Sequence, residues 1–487
     1  MATPHHLAPL GRGPLALGHS PAPVSRRQLL RSASMGFGWT ALSALLADRS
    51  YAGLTENVPA THFSPRAKNV IFFFMPGGVS HVDSFDPKPA LSRYHDQPVG
   101  DLANVKKTQA TGTTARRWKE SPWKFQAHGV AGTPVSELFP NIARCVDSIC
   151  VIRSMVGELP LHAAGNIFLH SGRLRAGSPS LGSWISYGLG SESRNLPGYV
   201  LLESGTVPPG GRENYANGYL PADFQATSIQ AQGVPVDNII PAEAASQAAK
   251  MNWLRAQDRT FSAVVGHQDA VEAAIRNYEM AFRMQTVVPD VLNLATESAA
   301  THQRYGTDSA NEQLRLYAIQ CLRARRLIES GVRFVEVTAN PLGYSVGTWD
   351  QHGKLKEDHE KNAVVTDQPI AALLQDLRQR GLLDETLVLW GTEMGRTPHT
   401  ANGNGRDHHV GGFTVWLAGG GIRGGMVHGA TDEFGMDAVE NVVTMYDLHA
   451  TLLHQLGLDH ERLTYRYGGR DMRLTDVHGR VIFDILA

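Results

Sequence analysis

Cysteine is scarce in this chain: three in 487 residues, at Cys145, Cys150 and Cys321. They form no CxxC pair, so neither a thiolate zinc site nor a disulfide framework is supported. Buried free thiols are the expectation, over a Cys145–Cys150 bridge. Excess charge is absent too, with a formal net charge of −1. No field of one sign exists to draw nucleic acid or an anionic membrane, and neither is expected as a partner. Phosphate-cradling fingerprints are also missing. Gly419–Gly425 lacks the Walker lysine and Pro76-Gly77-Gly78 lacks GxGxxG spacing, so both are read as tight backbone turns. No internal repeat of solenoid length occurs.

What is present suits a globular domain. The apolar fraction of 42% can build a full core, while 49 glycines and 26 prolines indicate many ordered loops. The length admits one large α/β domain with insertions, or two domains. At the N-terminus, Ser25-Arg26-Arg27-Gln28-Leu29-Leu30 is a twin-arginine signature. A mildly apolar stretch from Met35 to Leu46 follows, well short of the roughly 20 residues of a membrane span. Ser50-Tyr51-Ala52 then supplies small residues for cleavage before Gly53. The expectation is a signal peptide over 1–52, one domain over 53–487, and export to the periplasm or beyond in an already folded state.

Asn69–Met75 is a continuous apolar run of strand length, the pattern of a buried parallel strand. Val332–Thr338 and Leu387–Trp390 read the same way, each preceded by a helical face and a glycine stop, Gly331 and Gly381. Helix–glycine–strand twice in succession is the grammar of a doubly wound parallel sheet. Further strands are expected at Ser148–Arg153 and Phe413–Ala418, and helices near Val135–Val146 and Met445–Leu456. Insertions are placed near 90–130 and 190–300. The stretch 160–240 reads as ordered loops and short helices.

The chemistry gathers at strand exits, where open α/β sheets bind ligands. Leu387–Trp390 empties into a turn with Glu393 and Arg396, then a glycine-rich loop with Arg406, Asp407, His408 and His409. Packing alone does not call for that set. Trp349-Asp350-Gln351-His352-Gly353 follows the strand Val332–Thr338. Asp350 and His352 would face opposite ways on extended backbone, so joint ligation needs a turn. Carboxylate with imidazole suits zinc or manganese; an Asx-turn with a surface histidine is the bland reading. Glu393, beyond a buried strand, is either paired with Arg396 or bound to metal. A fourth cluster, His162 to Arg173, puts His162 and Asn166 on one helix face.

These segments carry a resemblance. VIFFFMPGGVSHVDSFDPKP, TWDQHG, DETLVLWGTEMGRTP and GRDHH resemble domain-of-unknown-function family 1501, exported bacterial proteins related to alkaline phosphatases and sulfatases. The likeness covers about Ala67 to Leu458. It implies an alkaline-phosphatase-like α/β/α sandwich with a central, mostly parallel sheet. It also implies a divalent metal (Zn, Mn or Ca), held by Asp350, His352, Glu393 and His408. The substrate class implied is a phosphate or sulfate ester, on a small molecule or a polysaccharide, with Arg396 and Arg406 clamping its charged oxygens. Two departures stand out. The first strand ends in Pro76-Gly77-Gly78 where relatives carry a metal-binding aspartate, leaving His81 or Asp83 as substitutes or the second metal absent. His162 stands about where relatives carry a Ser, Thr or Cys nucleophile, as a nucleophile, a ligand or an acid. A non-catalytic exported binding protein with the same fold is therefore the alternative.

Overall fold

The computed structural model describes residues 61–487 apart from 101–107, 110–115, 204–206, 237–238, 242–243, 267, 340–347 and 402. The signal-peptide reading over 1–52, with Arg26 and Arg27, lies outside the described residues.

Strand β1 (Asn69–Phe74) is buried at every position. Alternation sends Val70, Phe72 and Phe74 into one core, and Ile71 and Phe73 into another on the opposite side of the sheet. Each fully buried Phe contributes roughly 1.5–3 kcal/mol. A run that is apolar at every residue is therefore what a strand covered on both faces requires.

The main sheet also holds β2 (Ile149–Val156), β3 (Tyr199–Glu203), β4 (Thr227–Gln230), β5 (Phe334–Thr338), β6 (Thr386–Gly391), β7 (Phe413–Ala418), β8 (Met426–His428) and β9 (Val443–Thr444). Its order is β8-β2-β7-β6-β1-β5-β3-β4, with β9 also against β2. Strand β1 lies between β6 and β5, parallel to both, with Phe74 level with Gly391 and Thr338. Only β7 runs against its neighbours, β6 and β2. The start of β7 therefore lies at the edge where β6 and β2 end.

On one face, helices α1 (His162–Ser171), α2 (Leu181–Leu189) and α7 (Met445–Gln455) supply Phe168, Trp184 and Leu452 to the core. On the other, α5 (Glu312–Glu329) and α6 (Leu355–Gln379) supply Leu322 and Leu373. The result is the expected α/β/α sandwich. Helices α3 (Ala244–Val265) and α4 (Asp269–Leu292) span much of the stretch 244–292. Gly331, at φ +90°, ends α5 by letting Val332 N–H donate to Leu327 O at 3.1 Å. All three cysteines are buried free thiols.

Two local readings need correction. Val135–Val146 is not one helix: Thr133–Ser136 is a strand and Ile142–Ser148 a 3-10 helix. Pro140 interrupts the stretch, lacking the N–H that a helix interior needs. The stretch 160–240 contains two sheet strands, β3 and β4, besides its loops and helices. No helix among the described residues is long and apolar enough to cross a membrane.

Candidate metal centre

The exit of β1 sets the site. Pro76 O accepts from Trp349 N at 2.9 Å, drawing the segment after β5 across the end of β1. This needs Gly77: its φ is +109°, and a Cβ there would stand 2.7 Å from Trp349 N. A second close approach brings in the loop before β7, where a Cβ on Gly405 would lie 2.0 Å from His352 O. Arg406 N–H donates to Gln351 O at 3.1 Å across the same seam. Two glycines thus let three strand-edge loops stack.

Asp350 and His352 meet through the turn that joint action demands, His352 N–H donating to Asp350 O at 3.2 Å. Asp350 Oδ1 then has three imidazole nitrogens around it: His408 Nε2 at 3.0 Å, His352 Nε2 at 3.2 Å and His162 Nε2 at 3.2 Å. The ligating atoms of His162, Asp350 and His408 all lie within 4.8 Å of one another. His352 Nε2 is 3.0 Å from His408 Nε2.

Each ring is held from behind. His162 Nδ1 meets Glu393 Oε1 at 2.6 Å, His352 Nδ1 meets Asp407 Oδ1 at 3.1 Å, and His408 Nδ1 meets Pro160 O at 3.0 Å. Two of these partners are carboxylates and one is a carbonyl, so each Nδ1 carries a proton and donates. The Nε2 atoms are left to face one another across Asp350. A proton or a cation must then lie between His352 and His408, because two lone pairs at 3.0 Å repel. His162 Nε2 is buried, with Asp350 Oδ1 3.2 Å away.

This donor set fits a divalent cation. Tetrahedral bonds of about 2.0–2.1 Å place donors roughly 3.3 Å apart, close to the 3.0–3.2 Å contacts made by Asp350. Charge agrees as well. Asp350, Glu393 and Asp407 against Arg396 leave two negative charges when the imidazoles are neutral. Burial pushes the Asp350 carboxyl up, but the three imidazoles and Arg396 outweigh it and hold it well below the carboxylate range. Burial lowers His162, yet Asp350 and Glu393 lift it to about 9. His408 is pushed down to about 4, mainly by burial.

Three expected site residues are placed otherwise than the motifs suggested. Glu393 is fully buried behind His162, outside the ring. It accepts from Gly77 N–H (2.9 and 3.1 Å), the Thr392 hydroxyl (3.0 Å) and His162. Arg396, also fully buried, donates to Gly77 O, Gly78 O, Arg406 O and Asp350 Oδ1, the last at 2.7 Å. It ties the β1 turn to Asp350 instead of reaching outward to a ligand. Arg406 forks onto Asp83, Nε to Oδ2 at 2.6 Å and Nη2 to Oδ1 at 3.1 Å, with both side chains fully buried. Asp83 is thereby spent and does not stand in for a first-strand aspartate, while His81 Nε2 donates to Gly435 O at 2.8 Å and its buried Nδ1 has no partner. Asp407, part of the GRDHH motif, meets His352 Nδ1, a contact that sequence reasoning did not assign. Its signal was adjacency to His408, which alone does not say which ring it holds.

The family model described as a protein of unknown function, DUF1501, matches residues 67–486. No curated protein matches the chain. Among solved structures, the chain is similar to the PsFucS1 sulfatase from Pseudoalteromonas sp., at 13% identity and TM-score 0.36, over 87% of this chain and 72% of that one. It is similar to the lipoteichoic acid synthase LtaP from Listeria monocytogenes at 8% and 0.34, over 89% and 80%. It is also similar to the alkaline phosphatase of the Antarctic bacterium TAB5 at 12% and 0.31, over 73% and 92%.

Proposed function

We propose that this chain, which belongs to the DUF1501 family, is an exported metal-dependent hydrolase of phosphate or sulfate esters. The carrying observation is the ring itself: three imidazoles, each locked from behind at Nδ1, present Nε2 around the Asp350 carboxylate. His162, His352, His408 and Asp350 hold the cation in this reading. Three nitrogen donors favour zinc or manganese over oxygen-seeking calcium. A divalent ion bound there polarises an ester oxygen and lowers the pKa of a bound water.

The chain's own groups do the rest. Asp407 and the Pro160 carbonyl fix two of the rings. Arg396 fixes Asp350 and is not a substrate clamp, and Arg406 is a structural partner of Asp83. Anion binding falls instead to the start of α1. His162 is its first residue, and the capping residue Leu161 offers no side-chain acceptor to the first-turn N–H groups. Those N–H groups and the positive end of the helix favour an anionic ester oxygen beside the ring.

The non-catalytic alternative is supported by two features: His162, not a hydroxyl or thiol, stands at the ring, and β1 runs into Pro76-Gly77-Gly78 without an aspartate. The test is metal content after purification, followed by turnover of an aryl phosphate and an aryl sulfate. About one equivalent of zinc or manganese, with turnover abolished by a chelator and restored by the metal, is the expected result. Metal without turnover on any ester favours the binding protein, and no metal at all overturns the hydrolase. Export is proposed separately: residues 1–52 direct it and 53–487 form the mature domain. Arg26→Lys with Arg27→Lys should strand the precursor in the cytoplasm, and normal export of that variant overturns the route.

A further inference from the structure

We infer that Glu393 is a positioning residue for His162 and not a ligand, so that the site takes a single cation. This rests on the metal-site reading above and extends it.

The first argument is occupancy of the carboxylate. Both oxygens of Glu393 accept from Gly77 N–H, Oε2 also from the Thr392 hydroxyl, and Oε1 also from His162 Nδ1. With its side chain fully buried, the carboxylate has exchanged hydration for these donors. Turning an oxygen toward a metal would strip at least one donor of its partner, a costly step in a dry site.

The second is position. Glu393 contacts the Nδ1 side of the His162 ring, whereas the ring's Nε2 faces Asp350. The imidazole therefore lies between Glu393 and the other donors. Helix α1 is seated on this carboxylate: a Cβ on Gly165 would stand 3.2 Å from Glu393 Cγ. Glu393 thus fixes the helix that carries His162 as well as the ring's orientation.

The third is the neighbourhood. A second cation would need carboxylates or imidazoles not already committed. Asp83 is taken by Arg406 and the Ser80 hydroxyl, Asp407 holds His352, and His81 donates to Gly435 O from Nε2, leaving Nδ1 as a single unpartnered donor atom, short of a site. Where a metal-binding aspartate would end β1, the chain has Gly77, and its N–H donates to Glu393.

The general chemistry is that a carboxylate behind a ligating histidine fixes its tautomer and raises its basicity; losing such a partner costs about 10–100-fold in metal affinity. The experiment uses the full mature chain with zinc and with cobalt(II) as a visible probe. Stoichiometry is read by elemental analysis after dialysis, affinity by competition with a chelator, and geometry by the cobalt spectrum. Wild type should bind one equivalent. Glu393→Gln should still bind one equivalent, about 10–100-fold more weakly, with the cobalt bands nearly unshifted. Glu393→Asp, which keeps the charge, should recover part of the affinity. His162→Ala should change the cobalt spectrum itself, because a ligand is lost. A wild type that binds two equivalents, with Glu393→Gln binding one, overturns the inference. So does unchanged affinity in both Glu393 variants alongside a lower melting temperature, which would make the residue merely structural. Should Glu393→Gln not fold, the Glu393→Asp affinity decides alone. A wild type that binds no metal instead defeats the hydrolase reading, a distinguishable failure.

Discussion

Asp83 and Asp350 each take an arginine from the same motif region, at 2.6 Å from Arg406 and 2.7 Å from Arg396. Around Asp83 everything is matched: a two-pronged guanidinium, the Ser80 hydroxyl at 2.5 Å, and no solvent. Around Asp350 the arginine meets only one oxygen, three imidazole nitrogens crowd the same atom, and the side chain is 23% exposed. One carboxylate is closed by the protein. The other is crowded at one oxygen and open to solvent, which in the proposed reading is where a cation sits. Distance to an arginine does not separate these two; completeness of the hydrogen bonding does.

The largest effect should come from opening the closed pair. Arg406→Ala leaves Asp83 charged, buried and unpartnered, the case in which removing one partner costs about 3–5 kcal/mol. Denaturant unfolding of the metal-free protein should show a loss of that order. A change below about 1 kcal/mol would mean that water reaches Asp83, and the contrast with Asp350 would weaken.

Acid should separate a third kind of buried group from both. His449, in α7, is fully buried, donates from Nε2 to Leu169 O at 2.7 Å, and is pushed down to about 4, chiefly by burial. Unfolded, it titrates near 6.5, so between those values the unfolded chain binds the extra proton. Its contribution to stability is complete above pH 6.5 and is lost as pH falls toward 4. The difference corresponds to roughly 3 kcal/mol. His449→Gln keeps a donor without the titration, so its stability should fall less steeply over that window. Parallel curves for variant and wild type would count against the assignment.

Asp350→Ala should do the reverse of Arg406→Ala. Metal binding should weaken by more than about 100-fold, since even partners behind the ligands are worth 10–100-fold. Folding of the metal-free chain should lose less than in Arg406→Ala, because the buried Arg396, though deprived of its carboxylate, keeps its carbonyl partners Gly77 O, Gly78 O and Arg406 O. Retained stoichiometry and affinity would remove Asp350 from the site.

The same contrast explains what could be read from the sequence. Strands β1 and β6 were legible because a strand covered on both faces must be apolar at every residue, as VIFFF and LVLW are. Strand β4 was not: only Ile229 of Thr227–Gln230 is buried, so its edge position leaves no run to detect. That Asp350, His352 and His408 come together was legible from their types and placement at strand exits. Glu393 was legible as a buried carboxylate but not as the hydrogen-bond partner of His162 Nδ1, because the different contacts a carboxylate can make look alike in sequence. Arg396 and Arg406 could not be assigned either. Arg406 is closed by Asp83, 323 residues away along the chain, and no local pattern announces a pairing at that separation.

The smallest effect tests the rule at its other limit. Lys68 Nζ and Glu385 Oε2 are 2.7 Å apart, the same separation as Arg396 and Asp350, but their side chains are 49% and 53% exposed. Water solvates both ions whether or not they meet, and holding two flexible side chains together costs entropy. Exposed pairs are therefore worth about 0–1 kcal/mol. Lys68→Ala should cost no more than that, and the cost should shrink further when salt is raised, as screening of solvent-exposed charges requires. Metal affinity should not move. If Lys68→Ala proved as damaging as Arg406→Ala, distance alone would govern these pairs, and the distinction between a closed carboxylate and one awaiting a cation would lose its physical basis.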